Sequence, residues 1–105
     1  MIIPQNGYTK WFDYDKIKNT VFIRSRADGD YIHIDSEGRK KKIKSLFIDQ
    51  KIPKEERNNK LLVADGSHIM WILGNRNSEG YRIDQETKVI LEISLNGGKK
   101  DGAKD

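Results

Sequence analysis

At 105 residues the chain has room for one small domain with a single modest core. The absence of Cys excludes a disulfide framework, a thiolate metal site and a thiol nucleophile, and apolar runs no longer than those at 61–64 and 69–73 leave no room for a membrane span or a signal peptide. The net charge of +4 is unevenly placed: residues 39–60 carry nine basic side chains against three acids, a local +6, whereas 1–38 and 61–105 each come to −1.

Residues 1–10 read as a strand entry through Ile2 and Ile3 followed by a loop at Gly7. Trp11, Phe12 and Tyr14 then offer either a stacking platform for a base or a strand packed on the core. Residues 20–26 alternate, with Phe22, Arg24 and Arg26 on one face and Val21 and Ile23 on the other, which predicts a strand buried on at least one side. Asp28-Gly29-Asp30 supplies a turn, because Gly tolerates positive φ and Asp can bond its own backbone. Ile32 and Ile34 alternate with Tyr31 and His33, so a hairpin through residues 27–30 is expected.

Over residues 40–50 the period becomes helical. Ile43, Leu46, Phe47 and Gln50 share one face and should dock on the sheet, while Lys40, Lys44 and Lys51 fall on one flank, with Lys41 beside them, as a basic ridge. Pro53 at a first helical position, with Glu55 and Glu56 in the first turn, predicts a second short helix whose Arg57 points outward or back onto the Arg26 hairpin. Residues 61–65 and 69–73, joined by Asp65-Gly66-Ser67, predict a second hairpin. After a polar, turn-rich stretch at 74–80, strands are expected at 81–84 and 89–95 around a turn at 84–87, and residues 96–105 form a disordered polar tail behind a domain spanning 1–95. Phe47 and Trp71 belong to the core, and His33 and His68 read as solvent-facing or loop-capping. A metal site from two His would need carboxylate help, nothing near His68 offers a helical i, i+4 partner, and the carboxylates Asp13, Asp15, Asp28, Asp30 and Asp35 alternate with basic and turn residues without forming an acid/base pair.

Four motifs run in order: Arg26-x-x-Gly29-Asp30, the lysine-rich stretch 40–50, Lys51-Ile52-Pro53-x-x-x-Arg57, and Trp71-Ile72-Leu73-Gly74. In order and spacing they resemble the C-terminal domain of bacterial tRNA(Ile)-lysidine synthetase, from about Phe12 to Ile93. The elements together predict an α+β, sandwich-like domain of about six or seven strands, one helix of about three turns and a shorter one, and the resemblance implies a layered, β-rich fold shared with a domain of the phenylalanyl-tRNA synthetase β subunit. It also implies a cytoplasmic tRNA-binding module that clamps the acceptor stem of tRNA(Ile), so that a distant active site can convert the wobble cytidine 34 to lysidine. The pyrophosphate loop of that active site, of the type Ser-Gly-Gly-x-Asp-Ser, does not occur in this chain, whose one Gly-Gly is Gly97-Gly98. By this resemblance the chain is not an enzyme by itself and carries no cofactor of its own. ATP, Mg²⁺ and lysine are expected in a catalytic domain absent from the chain, with the rest of the synthetase as partner, no membrane, and a homodimer of the full-length enzyme left open.

Within that resemblance the RNA-binding candidates are Arg24, Arg26, Lys41, Lys44, Lys51 and Arg57, with no catalytic and no metal residues. Lysines would track phosphates along the stem, since the deep, narrow major groove of A-form RNA shuts side chains out, while the guanidinium fork of Arg24, Arg26 or Arg57 suits a base edge. Each has a plain structural reading too: a solvated lysine face, and arginines paired with Asp28 or Asp30 or held in a salt bridge. The competing function is a protein-interaction or structural domain with a solvated lysine surface. A small enzyme is disfavoured, since no nucleophile, metal or paired-acid constellation is present.

Overall fold

The strand order follows from how much apolar surface each strand must hide. The computed structural model describes residues 8–95, with strands β1 (Tyr8–Asp13), β2 (Val21–Arg24), β3 (Tyr31–His33), β4 (Lys40–Lys42), β5 (Leu62–Asp65), β6 (His68–Ile72) and β7 (Ile90–Leu95), and helices α1 (Ile43–Asp49) and α2 (Lys54–Arg57). All of β5 and all of β6 except His68 are buried, so this hairpin takes the middle of a five-stranded sheet ordered β2-β5-β6-β3-β4. The edges go to β2, where Phe22 and Ile23 are exposed, and to β4, which is three lysines. Lysine on an edge strand discourages pairing with a foreign chain.

Each face of this sheet has its own core. On one face Ile32, Leu62, Ala64, Ile69 and Ile72 pack against Ile43, Leu46 and Phe47 of α1. On the other, Val63, Met70 and Trp71 meet Phe12, Tyr81 and the partly buried Leu91 and Ile93. Val63 pairs with Trp71 but Ala64 with Ile69, so Met70 is an extra residue, and this bulge lets the consecutive Met70 and Trp71 serve the same core. The result is three layers: helices, five-stranded sheet, and the antiparallel β1–β7 ribbon. Burying one Leu, Ile or Phe contributes about 1.5–3 kcal/mol, so the two cores together outweigh any surface pairing in the molecule.

The expected β5–β6 hairpin forms, with Gly66 at φ 62° in its two-residue loop. The expected α+β, β-rich class holds, and Phe47 and Trp71 are buried. Several expectations fail. Residues 27–30 make a turn, with the Asp30 N–H donating to the Ala27 carbonyl, but no hairpin: β2 pairs with β5, and the doubly buried β5–β6 pair comes between β2 and β3. The helix starts at Ile43, because residues 40–42 pair with β3 and the Ile43 N–H is held by the Asp30 carbonyl. It is seven residues long, about two turns, and Gln50 is its exposed C-cap. Pro53 is the N-cap of α2, one position earlier than expected. Instead of a strand at 81–84 there is a 3-10 turn, Glu79–Tyr81, capped by the Ser78 hydroxyl, since Tyr81 is drawn inward to Asp65. The expectations for residues 1–7 and 96–105 lie outside the described residues.

Candidate nucleic-acid interface

The two arginines of the Arg24 to Asp30 stretch have separate tasks. Arg24 at the end of β2 makes a bidentate pair with Asp30, Nη1 to Oδ2 at 2.8 Å and Nη2 to Oδ1 at 3.0 Å, and also donates to the carbonyls of Ser25 and Gly66. Asp30 is buried and accepts the Ala27 N–H at 2.7 Å as well. The hydrogen bonds that Arg24 donates to Asp30, outweighing the cost of burial, raise the Arg24 pKa above its ordinary value. The Arg24 fork is thus filled by protein groups, and the residue is a brace for the turn. Arg26 is half-buried and uses only Nε, donating to Asn58 Oδ1 at 3.1 Å, so among the described residues its two terminal nitrogens have no hydrogen-bond partner.

Arg26 lines a cleft of about 300 Å³ between the braced turn and the start of α1. Its charged lining is Arg26, Lys42 and Lys44 against Asp28, since Asp30 is neutralised by Arg24. Gly29 sits in its wall with φ 88°, and a Cβ there would meet nothing within 4 Å. Glycine is required by the backbone and not by crowding, and the space above it is open to a ligand. A concave site with net positive charge, built on a rigid ion pair, is what a phosphate group needs.

The predicted lysine ridge is not one surface. Lys41 lies on β4 opposite Ile32, on the helix side of the sheet, and forms an ion pair with Asp49 of α1. Lys40 and Lys42 point to the other face of β4, and Lys44 and Lys51 stand at opposite ends of α1. Lys51 has its own signature. The Ile52 N–H donates to the Phe47 carbonyl and the Lys51 N–H to that of Ile48, which is a complete Schellman motif with Lys51 at the left-handed position, φ 58°. Glycine is the usual residue there, so an exposed lysine is held at a conformational cost of about 1–2 kcal/mol. Arg57 is half-buried and donates from Nε to the Ile52 carbonyl, tying α2 to the same corner.

The sequence reading missed two things. Lys42 lines the cleft, and the signal for it was the turn-forming Asp35-Ser36-Glu37-Gly38, which closes β3 and β4 into a hairpin and puts Lys40 to Lys42 in strand alternation. His33 and His68 are neither solvent-facing nor loop caps: both are half-buried, with ring centroids 4.2 Å apart. No local signal pairs them. Among the described residues no group of three or more His, Cys, Asp or Glu is placed to hold a metal ion. Trp11 and Tyr14 are exposed while Phe12 is buried, and the Trp11 indole N–H donates to Glu92 across the ribbon.

Known proteins resemble this chain over most of its length. A family model described as TilS substrate C-terminal domain matches residues 21–93. A tRNA(Ile)-lysidine synthase of Caldanaerobacter subterraneus subsp. tengcongensis is 46% identical over 86 residues, 82% of this chain and 18% of that protein. The tRNA(Ile)-lysidine synthase of Clostridium tetani is 44% identical over 100 residues, 94% of this chain and 21% of that protein. A crystal structure described as the TilS C-terminal domain superposes with a TM-score of 0.63 at 28% identity, covering 91% of this chain and 76% of that one. The chain thus spans about a fifth of the length of these two synthases.

Proposed function

We propose a function from one premise: the chain belongs to the TilS substrate C-terminal domain family. In this reading the domain grips the acceptor stem of tRNA(Ile) for a cytoplasmic tRNA(Ile)-lysidine synthase, whose ATP-, Mg²⁺- and lysine-dependent conversion of cytidine 34 takes place in another domain. The observation that carries it is the cleft of Arg26, Lys42 and Lys44 beside the Arg24–Asp30 brace, two of whose three cations, Lys42 and Lys44, come from the segment 39–60 that holds the positive excess of the chain. A-form RNA offers phosphates and 2′-hydroxyls along its broad minor groove, and lysines on a strand edge and a helix start can follow them. Arg26 brings the planar fork, suited to a phosphate or a base edge.

The test is titration of an acceptor-stem minihelix with the protein and with Arg26→Ala, Lys42→Ala and Lys44→Ala combined. Wild type should bind with a strongly salt-dependent Kd of roughly 10⁻⁴ to 10⁻⁶ M near physiological salt. The triple variant should lose affinity and lower the salt slope by about one unit per contact removed. Lys41→Ala should change little, since Asp49 already neutralises Lys41. No binding by the wild type at low salt would overturn the reading. A second reading has its own observation: edge strand β2 exposes Phe22 at 60% and Ile23 at 52%, a seam suited to another protein domain. Loss of RNA binding in the triple variant is not expected from that seam.

A further inference from the structure

A second cleft, of about 520 Å³, opens on the ribbon side of the sheet, and a sheet held together only by apolar contact has no use for what lines it. Its walls are the rings of Tyr31, His33, His68 and Tyr81, with Lys18 and Lys40 at the rim. Tyr31 stacks on His68 at 4.9 Å and 27°, His68 lies 4.2 Å from His33, and Tyr81 closes the other side at 4.5 Å. The Lys40 ammonium stands 4.6 Å above the Tyr31 ring.

This surface is held in one arrangement. The buried Ser78 hydroxyl accepts the N–H groups of His33 and Gly80, at 3.2 and 3.1 Å, so its own proton goes to His68 Nε2, 2.8 Å away. That places the His68 proton on Nδ1 and keeps the ring neutral. Burial, then the neighbouring His33, lowers its pKa to about 4, which agrees with this hydrogen-bond count. Gly80 is the floor: a Cβ there would lie 2.8 Å from both His33 Nδ1 and His68 Cε1, although its φ is not of the left-handed kind. Close approach of the two imidazoles, and not the backbone, requires glycine at this position. Asp65 is consumed by Tyr81, Asn19 and the Lys18 N–H, so of the two carboxylates in the cleft Asp15 is the one whose side chain makes no hydrogen bond or ion pair among the described residues.

We infer that this cleft takes one unstacked nucleotide of the bound RNA, its base on the Tyr31 and His33 rings and its phosphate at Lys18 and Lys40. The inference rests on the RNA-binding reading and adds a subsite to it. The volume lies within the range of about 300–1,000 Å³ usual for clefts that hold a small molecule. Base on aromatic ring is the interaction by which unpaired bases are held, and it is stronger than an exposed cation–π contact, so a base displaces the Lys40 ammonium from Tyr31 onto its own phosphate. The Asp15 carboxylate accepts from an exocyclic amino group and repels a bare anion, which selects a nucleotide over phosphate alone. Continuity is built into β4: Lys40 and Lys42 share one face, so the strand that gives Lys42 to the stem cleft gives Lys40 to this one.

The experiment compares a blunt minihelix with the same stem ending in a short single-stranded overhang, against wild type, Tyr31→Leu and His33→Leu, each variant first checked for wild-type circular dichroism. Wild type should prefer the overhang by about tenfold. Both variants should lose that preference while binding the blunt stem as wild type does, and His33 and His68 ring resonances should shift with cytidine or adenosine monophosphate and not with inorganic phosphate. Equal affinity of wild type for both RNAs overturns the subsite and leaves the stem reading standing. Binding of neither RNA overturns both. Equal shifts with phosphate alone reduce the cleft to an anion site and overturn the proposal.

Discussion

Arg24 and Arg26 are two residues apart and of the same type, yet the structure spends one on the fold and leaves the other facing a cleft. Asp30 is buried with Arg24 as its ion-pair partner, so Arg24→Ala strands a carboxylate. Because the Arg24 side chain is itself about one-third exposed, the cost should be about 2–3 kcal/mol, less than for a fully buried pair. Arg26→Ala removes one exposed hydrogen bond to Asn58 and should cost about 1 kcal/mol or less while weakening RNA binding. Urea denaturation of the two variants beside a minihelix titration checks both halves. Equal stability losses would mean that the two arginines brace the turn together.

At the scale of elements, the ends of α1 matter more than its seven residues. The helix has no side-chain cap at Lys42 and no basic residue in its last turn, so the Schellman motif through Lys51 and Ile52 and the Ile43 to Asp30 hydrogen bond hold it in place. Ile52 packs on the helix-side core, completing the hydrophobic contact that accompanies such an end. Lys51→Gly should therefore stabilise the protein by about 0.5–1 kcal/mol, since relief of the left-handed backbone exceeds the extra entropy of glycine in the unfolded chain. The same change removes a positive charge and should weaken minihelix binding slightly. A thermal melt that moves down instead of up would show that the Lys51 side chain makes a stabilising contact that outweighs its backbone. The β5–β6 turn shows the converse, because Gly66 combines φ 62° with an Asn19 amide 2.9 Å from where its Cβ would be, so a side chain there would be strained and would push the Asn19 amide aside.

For the whole molecule, two cores share one sheet, so the layers should unfold together. Acid should destabilise them through His68. Its folded pKa, about 4, lies below the ordinary 6.5, so the unfolded chain takes up the proton first as pH falls. This contribution is complete above about pH 6.5 and is lost between there and pH 4; it amounts to about 1–2 kcal/mol, less than the full shift because the ring is only half-buried. Asp65 acts in the same direction at lower pH. Burial alone would raise its pKa, but hydrogen bonds from Tyr81, Lys18 and Asn19 hold it below the usual carboxylate range. Melting temperature followed from pH 7 to pH 4 should fall in wild type and fall less in His68→Gln, whose side-chain oxygen can still accept from Ser78. A parallel decline in both proteins would assign the acid sensitivity elsewhere.

The amino-acid sequence by itself determined what depends on neighbours a few residues apart. The 3.6-residue stripe of Ile43, Leu46 and Phe47, the Asp65-Gly66-Ser67 hairpin, the concentration of charge in 39–60 and the ordered motifs were all legible, because period and turn chemistry are local. Tertiary structure alone decided which strand lies beside which. The pairing of β1 with β7, the insertion of β5–β6 between β2 and β3, and the meeting of His33 with His68 join segments distant along the chain. Such pairings are settled by competition among strands for burial, and the doubly apolar hairpin takes the centre of the sheet. Lys41 and Lys42 show the consequence at the candidate site: a strand turns adjacent residues to opposite faces, so one pairs with Asp49 and the other lines the cleft.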